Sequence, residues 1–364
     1  MKFRCERGLL LDGLSAASRA VSSRGAALPV LSGLCLTLAG DHLRITGTDL
    51  DLTITVEKLV AGEEDGTIVV PSKWVLDIVK ALEDGAIHFE TDGDEATIVG
   101  GSAKFEVNLI PAEEFPQPSV GAGETVTMSA EEFADGVRQV ASAASTDESR
   151  PILTGVLMAA EGTGLRLVST DSYRLAVRDL PGNAILAEGQ NVLVPSRALQ
   201  EVVRLLGGAT DLTLELGDRE ASFVVNDTRL VTRLIEGDFP NYRNLIPPSQ
   251  PNRLTIEREA LIRAVRRVKL MAREATPVRL TMRDGVVELN ASLQDVGQAH
   301  EELEAVYNGT ELTVAFNPDY LLTGLEVTPG DEVSLETVDS LKPALIRSNE
   351  NTDFLYLLMP VRVS

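Results

Sequence analysis

The chain carries one passage three times, and this constrains its fold more than any other feature. Leu28–Val56 (LPVLSGLCLTLAGDHLRITGTDLDLTITV) recurs as Arg150–Val177 (RPILTGVLMAAEGTGLRLVSTDSYRLAV) and, more faintly, as Thr276–Leu303 (TPVRLTMRDGVVELNASLQDVGQAHEEL). Pro29, Pro151 and Pro277 head the copies, and a second anchor follows in each at Pro71, Pro195 and Pro318. The copies lie about 120 residues apart, far beyond the roughly 20–50 residues of a solenoid unit and enough for a separate core. Three domain-sized units therefore fill the 364 residues. Proline-bearing stretches at 116–123 and 247–252 separate the units and restrict the chain at both joints. The expected domains are 1–119, 125–247 and 253–364.

Each unit opens with an amphipathic pattern, at Arg7–Val21, Ala130–Ala144 and Glu257–Ala272. Alternating strands follow. In the first unit two of them flank Ala39-Gly40-Asp41, a hairpin signal. A second helix is expected after each anchor proline, with the proline in its first turn. More strands close each unit, at Ala96–Leu109, Ala221–Ile235 and Pro343–Met359. Helix, strands, helix, strands is an α+β unit with antiparallel sheets.

The formal net charge is −22. A body so acidic repels phosphate, so any nucleic-acid role depends on where the few cations sit. At about 100° per residue, Leu261, Ala264, Val265, Val268 and Ala272 share one face of the third opening helix. Arg263, Arg266, Arg267, Lys269 and Arg273 occupy the other. The second helices repeat the device: Lys73 and Lys80 share a face, as do Arg197 and Arg204 at matching positions. The third unit has Tyr320 and Val327 there. Arg24 and Arg150 precede the two strongest copies. A single cationic helix face is ordinary solvated surface. Its recurrence in an acidic chain favours a shared basic surface that touches phosphates without reading bases.

Enzyme signatures do not emerge. There is no GxxxxGK[ST] phosphate loop, no HExxH and no GxSxG. His42, His88 and His300 have no metal-ligand spacing. Asp49 and Asp171 recur as Thr-Asp in two copies, but the third copy has Asn290-Ala291, and an Asp at a strand end is more often a turn former. Neither cofactor nor metal is expected. Cys5 and Cys35 form no disulfide framework. No window approaches the roughly 18 apolar residues of a membrane span, so a cytoplasmic protein is expected.

At these residues the chain resembles the bacterial β sliding clamp family, the processivity subunit of DNA polymerase III. The markers are LPVLSGLCL, TGTDLDL, Thr170-Asp171-Ser172-Tyr173-Arg174-Leu175, FPNYRNLIP (239–247) and Met359-Pro360-Val361-Arg362, in order along the whole chain. Ser172-Tyr173 departs from the Gly-His of the best-known members and adds bulk at a pocket mouth.

The resemblance implies three repeated DNA-clamp domains, each two helices packed on antiparallel sheets. It implies a head-to-tail homodimer that closes a ring around duplex DNA, held by topology and blind to sequence. Inward basic residues would be Arg24, Lys73, Lys80, Arg150, Arg197, Arg204, Arg263, Arg266 and Arg267. The joint would set Trp74, Phe105 and Val107 against Leu270, Met271, Glu301, Glu302 and Glu304. The family also carries a peptide pocket. By motif match its lining here is Leu153, Thr170, Ser172, Tyr173, Arg174, Leu175, Pro240, Leu245, Pro343, Leu357, Met359, Pro360 and Arg362. Partners implied are the replicative polymerase alpha subunit, the clamp loader, and other polymerases and repair proteins. Each would insert a glutamine followed by apolar residues.

Overall fold

The computed structural model describes residues 1–21, 28–116, 124–272 and 276–362. The first repeat runs β1 (Lys2–Glu6), α1 (Arg7–Ala17), β2 (Gly33–Ala39), β3 (His42–Thr48), β4 (Leu52–Leu59), β5 (Ala61–Glu64), β6 (Gly66–Pro71), α2 (Ser72–Ala81), β7 (Ala86–Asp92), β8 (Glu95–Gly100) and β9 (Ala103–Asn108). The second runs β10 (Glu124–Ser129), α3 (Ala130–Ala141), β11 (Gly155–Glu161), β12 (Gly164–Thr170), β13 (Arg174–Leu180), β14 (Asn191–Pro195), α4 (Ser196–Leu206), β15 (Asp211–Leu216), β16 (Glu220–Val225) and β17 (Thr228–Arg233). The third runs β18 (Asn252–Glu257), α5 (Arg258–Val268), β19 (Val278–Arg283), β20 (Val286–Leu293), β21 (Gly297–Glu304), β22 (Val306–Asn308), β23 (Leu312–Phe316), α6 (Pro318–Val327), β24 (Glu332–Thr337), β25 (Ala344–Ser348) and β26 (Phe354–Leu358).

The α+β, antiparallel reading holds, with three differences in detail. Each repeat opens with a short strand (β1, β10, β18) that runs straight into its first helix. Pro71 and Pro195 end their strands one residue before the helix, and only Pro318 lies inside one, where Asn317 caps it by accepting from the Asp319 and Tyr320 N–H groups at 2.9 and 3.3 Å. The opening helix of the first repeat is also shorter than its pattern: α1 stops at Ala17 and a 3-10 turn takes Ser18–Ala20.

The sheets ignore the repeat boundaries. The described residues form two compact units, one of Met1–Glu131 with Glu201–Leu234, the other of Glu132–Gln200 with Ile235–Ser364. In the first, a five-stranded sheet (β5-β1-β7-β8-β9) accompanies an eight-stranded one (β10-β15-β16-β17-β4-β3-β2-β6). In the second, a nine-stranded sheet (β14-β11-β12-β13-β26-β25-β24-β18-β22) accompanies a four-stranded one (β21-β20-β19-β23). Two pairings stitch repeats together: β4 with β17, Leu52 opposite Thr232, and β13 with β26, Arg174 opposite Leu358. Adjacent repeats thus share backbone ladders, which satisfy edges that would otherwise be open.

The helices bury one stripe on these sheets. Leu10, Leu14 and Ala17 of α1 are fully buried. Each such large aliphatic side chain stabilises the fold by roughly 1.5–3 kcal/mol relative to exposure. A Cβ on Gly47 would stand 2.2 Å from the Ala17 carbonyl oxygen, so only glycine lets α1 settle there. In the second repeat Ser169 holds that position, and its hydroxyl donates to the Val140 carbonyl of α3.

Candidate peptide groove, edge strands and basic surface

The β12–β13 connection is a turn built by its own side chains. Ser172 sits at φ +81°, the left-handed region that non-glycine residues rarely adopt. The Thr170 hydroxyl accepts from the Ser172 N–H at 3.1 Å and donates to the Arg174 carbonyl at 2.6 Å. The Asp171 carboxylate accepts from the Tyr173 and Arg174 N–H groups at 2.9 and 3.0 Å and from Arg174 Nε at 3.0 Å. All of the Asp171 acceptors so bonded hold the turn, which is the Asx-turn role and leaves no catalytic pair. The turn carries Tyr173 outward, 57% exposed. Its ring stacks on Tyr320 at 6.2 Å, and the Arg174 guanidinium lies 4.5 Å over the same Tyr320 ring. Burial opposes the charge on Arg174, but the Tyr356 hydroxyl and Asp171 more than offset it and raise its pKa.

Below the turn one face of the nine-stranded sheet carries an apolar stretch. Leu175 stands opposite Leu357, Val177 opposite Leu355, and Val168 opposite Val177. These, with Leu157, Leu193 and Leu345, form one buried cluster under Phe239, Tyr242 and Ile246 of the following segment. Pro240 and Leu245 of that segment are exposed. The chain end comes back to the turn: the Met359 N–H donates to the Tyr173 carbonyl at 2.9 Å, and the Val361 N–H to the Ala315 carbonyl at 2.8 Å. Met359 is 38% exposed and Pro360 half-buried beside it. The structure therefore brings together Thr170, Ser172, Tyr173, Arg174, Leu175, Leu357, Met359 and Pro360. Leu153 is half-buried beside Ile152, which packs on the cluster; Pro343 is half-buried before β25; Arg362 is exposed. The result is an apolar floor with polar groups at one end, the composition of a small-ligand or peptide groove.

The expected joint residues lie on or near two sheet edges. β9 ends the five-stranded sheet and β21 ends the four-stranded one. Trp74 and Leu270 are 64% and 78% exposed, and Phe105 on β9 is also exposed. Val107 and Met271 are half-buried, and Glu302 and Glu304 are exposed on β21. Glu301 is engaged instead by Arg267, whose guanidinium holds its carboxyl below the usual carboxylate range.

Over Arg258–Val268 the helix wheel matches the structure: Leu261, Ala264, Val265 and Val268 are buried, and Arg263, Arg266 and Arg267 are exposed; Lys269 falls in a 3-10 turn and Ala272 beyond the helix. Their charge is not free, however. Arg263 pairs with Glu257 at 3.7 Å, Arg266 with Glu326 at 2.7 Å, Arg267 with Glu301, and Lys269 with Asp319. Arg204 pairs with Glu201, and Arg150 with Asp147 at 3.0 Å. Arg197 is exposed. Among the described residues Lys73 and Lys80 have no ion-pair partner, and Lys73 lies 5.9 Å over the Trp74 ring. Arg24 and Arg273 lie outside the described residues.

Comparison with known proteins decides the family. The N-terminal, central and C-terminal domain families of the DNA polymerase III beta subunit match residues 1–119, 127–241 and 243–362. The chain belongs to the DNA polymerase III beta subunit family. The beta sliding clamp of Streptomyces coelicolor is 36% identical over 378 residues, and that of Synechocystis 33% over 390, each covering both chains fully. The solved sliding clamp of Bartonella birtlesii bound to griselimycin is 31% identical with a TM-score of 0.94, again over all of both chains. The subunit from Pseudomonas aeruginosa gives 28% and 0.93. The function is accordingly that of a DNA sliding clamp, a processivity subunit and not an enzyme.

Within this clamp the residue that sequence reasoning missed is Tyr320. It stood out only as the place where the third repeat breaks the Lys73–Arg197 series. That break was the available signal: the ring that replaces the cation braces Tyr173 and Arg174. Tyr356, fully buried, donates to the Tyr320 carbonyl at 3.0 Å and fixes it from beneath.

Proposed function

We propose that two copies of this chain join head to tail, edge strand β9 of one against β21 of the other, into a closed ring that threads duplex DNA. The supporting observation is the pair of edges in the first and third repeats, each neighboured by an exposed apolar residue, Trp74 or Leu270. A heterologous contact that closes pairs both of these edges. The three domains of this reading are 1–119, 125–247 and 253–364. Lys73 and Lys80, with the exposed arginines of α4 and α5, face the DNA. Because most of those arginines already hold carboxylates, phosphate contact is weak and sequence-blind, and the ring slides. Such a clamp works in the cytoplasm, on the nucleoid.

The groove at Leu175 and Leu357 receives the partners. The polymerase alpha subunit, the clamp loader and other polymerases and repair proteins each insert a short peptide of glutamine and apolar residues. Leucine or phenylalanine anchors fit the apolar floor, and the Thr170–Arg174 turn and Met359–Pro360 bound it. The test is sedimentation equilibrium at micromolar concentration. A species near twice the 39.1 kDa chain mass, lost in Phe105→Asp together with retention on closed circular DNA, supports the ring. A monomer that still stays on circular DNA overturns it.

A further inference from the structure

The sulfur atoms of this chain belong to 2 cysteines and 6 methionines, and nearly all are shielded. Met1, Met128, Met158 and Met282 are buried, and Met271 is half-buried. Cys5 is buried and Cys35 half-buried. Burial pushes the Cys5 thiol up to about 12 and raises Cys35 as well. Neither therefore offers the thiolate that oxidants attack most readily. Among the sulfur-bearing residues only Met359 is exposed, at 38%.

Met359 is also fixed at the groove. β26 ends at Leu358, but its ladder to β13 runs one step further, because the Met359 N–H donates to the Tyr173 carbonyl at 2.9 Å. Residues two apart on an extended chain share a face, which sets Met359 on the side of the floor residue Leu357. Across the ladder stands the exposed Tyr173, and half-buried Pro360 follows. An unbranched thioether at this place adapts to incoming apolar anchors. A sulfoxide has the same reach but carries an S–O dipole, which a docking anchor would have to strip of water.

We propose that Met359 is a reversible oxidation site through which hydroperoxides weaken partner binding. One peroxide oxygen passes to the Met359 Sδ: the O–O bond breaks, an S–O bond forms, the sulfur is oxidised, and the peroxide is reduced to water or an alcohol. A thiol-dependent sulfoxide reductase reverses the step, its thiols becoming a disulfide as the oxygen leaves as water. The proposal rests on the reading that the groove receives motif peptides.

Hydrogen peroxide treatment tests it, followed by peptide mapping in a mass spectrometer and by fluorescence anisotropy with a labelled glutamine-leucine-phenylalanine peptide. Met359 should gain oxygen before the other methionines, and more slowly when the peptide saturates the protein. Affinity should fall roughly fivefold or more as it does so. It should return when a methionine sulfoxide reductase restores Met359. Met359→Leu, whatever its own affinity, should bind equally before and after peroxide. The proposal is overturned if another methionine is oxidised first, if affinity ignores the state of Met359, or if peroxide weakens Met359→Leu as much as the native chain. If the untreated native chain does not bind the peptide, the groove reading fails and takes this proposal with it.

Discussion

The Thr170–Arg174 turn has a twin at Thr48–Leu52, and comparing the two separates architecture from function. Leu50, like Ser172, sits at φ +81°. Thr48 accepts from the Leu50 N–H at 3.1 Å and donates to the Leu52 carbonyl at 3.2 Å, while Asp49 accepts from the Asp51 and Leu52 N–H groups at 3.2 and 2.8 Å. Each turn leads into a strand that stitches two repeats together, β4 to β17 and β13 to β26. The floors differ. Where one joint has Leu175, Val177, Leu357 and Leu355, the other has Thr53, Thr55, Val231 and Arg229 at the matching registers. Those threonines bond across strands to Thr48 and Thr46 at 2.8 and 3.3 Å, and Arg229 binds Glu215 and Ser222. The turn is therefore part of how the repeats are joined, and the apolar groove is what only the second joint adds.

The sharpest way to break this comparison is to strip the floors. Leu175→Ala or Leu357→Ala should abolish peptide binding in anisotropy and lower the unfolding free energy in urea by roughly 2–5 kcal/mol. Thr53→Ala should leave binding intact and cost under about 1.5 kcal/mol. Equal losses at both joints would refute the distinction.

The next effect lies in the turns. Asp171→Ala strands Arg174, whose side chain is only 13% exposed, and should cost about 3 kcal/mol with some loss of peptide affinity. Asp49→Ala removes the acceptor of the Asp51 and Leu52 N–H groups, a loss of about 1 kcal/mol for those bonds. Smaller still is the strain at the left-handed positions. Leu50→Gly and Ser172→Gly should each stabilise by at most about 1 kcal/mol, equally in both turns, as read by urea denaturation.

The smallest effect concerns the cationic face. The Glu301 carboxyl is held below its ordinary pKa by the Arg267 hydrogen bond. Its contribution is thus present above the unfolded glutamate pKa and is lost as pH falls through the depressed folded value. Solvent screening keeps it slight. Glu301→Gln should flatten the acid limb of the stability profile between about pH 5 and pH 3 and leave neutral stability nearly unchanged; an unaltered limb would remove Glu301 from the acid response.

Much of the architecture was legible because it is periodic. The α5 wheel, the Gly40 hairpin and the α+β alternation all follow from side-chain period. The strand stitching of β4 to β17 and β13 to β26 was not legible, since pairing between distant segments leaves no local mark. The ion pairs of Arg266, Arg267 and Lys269 were hidden for the same reason: Glu326, Glu301 and Asp319 belong to other elements. The candidate groove was suggested by family resemblance, not by repetition. The repeated motif Thr-Asp at 48–49 and 170–171 marks the fold, and the two joints differ in the floor, Leu175 and Val177 against Thr53 and Thr55.

Peptide stoichiometry, measured by isothermal titration calorimetry with a glutamine-plus-leucine motif peptide, tests most directly whether only the second joint binds partners. The expected result is one peptide per chain in the native protein and none in Leu175→Ala or Leu357→Ala. Two peptides per chain, or one that survives those substitutions, would contradict it.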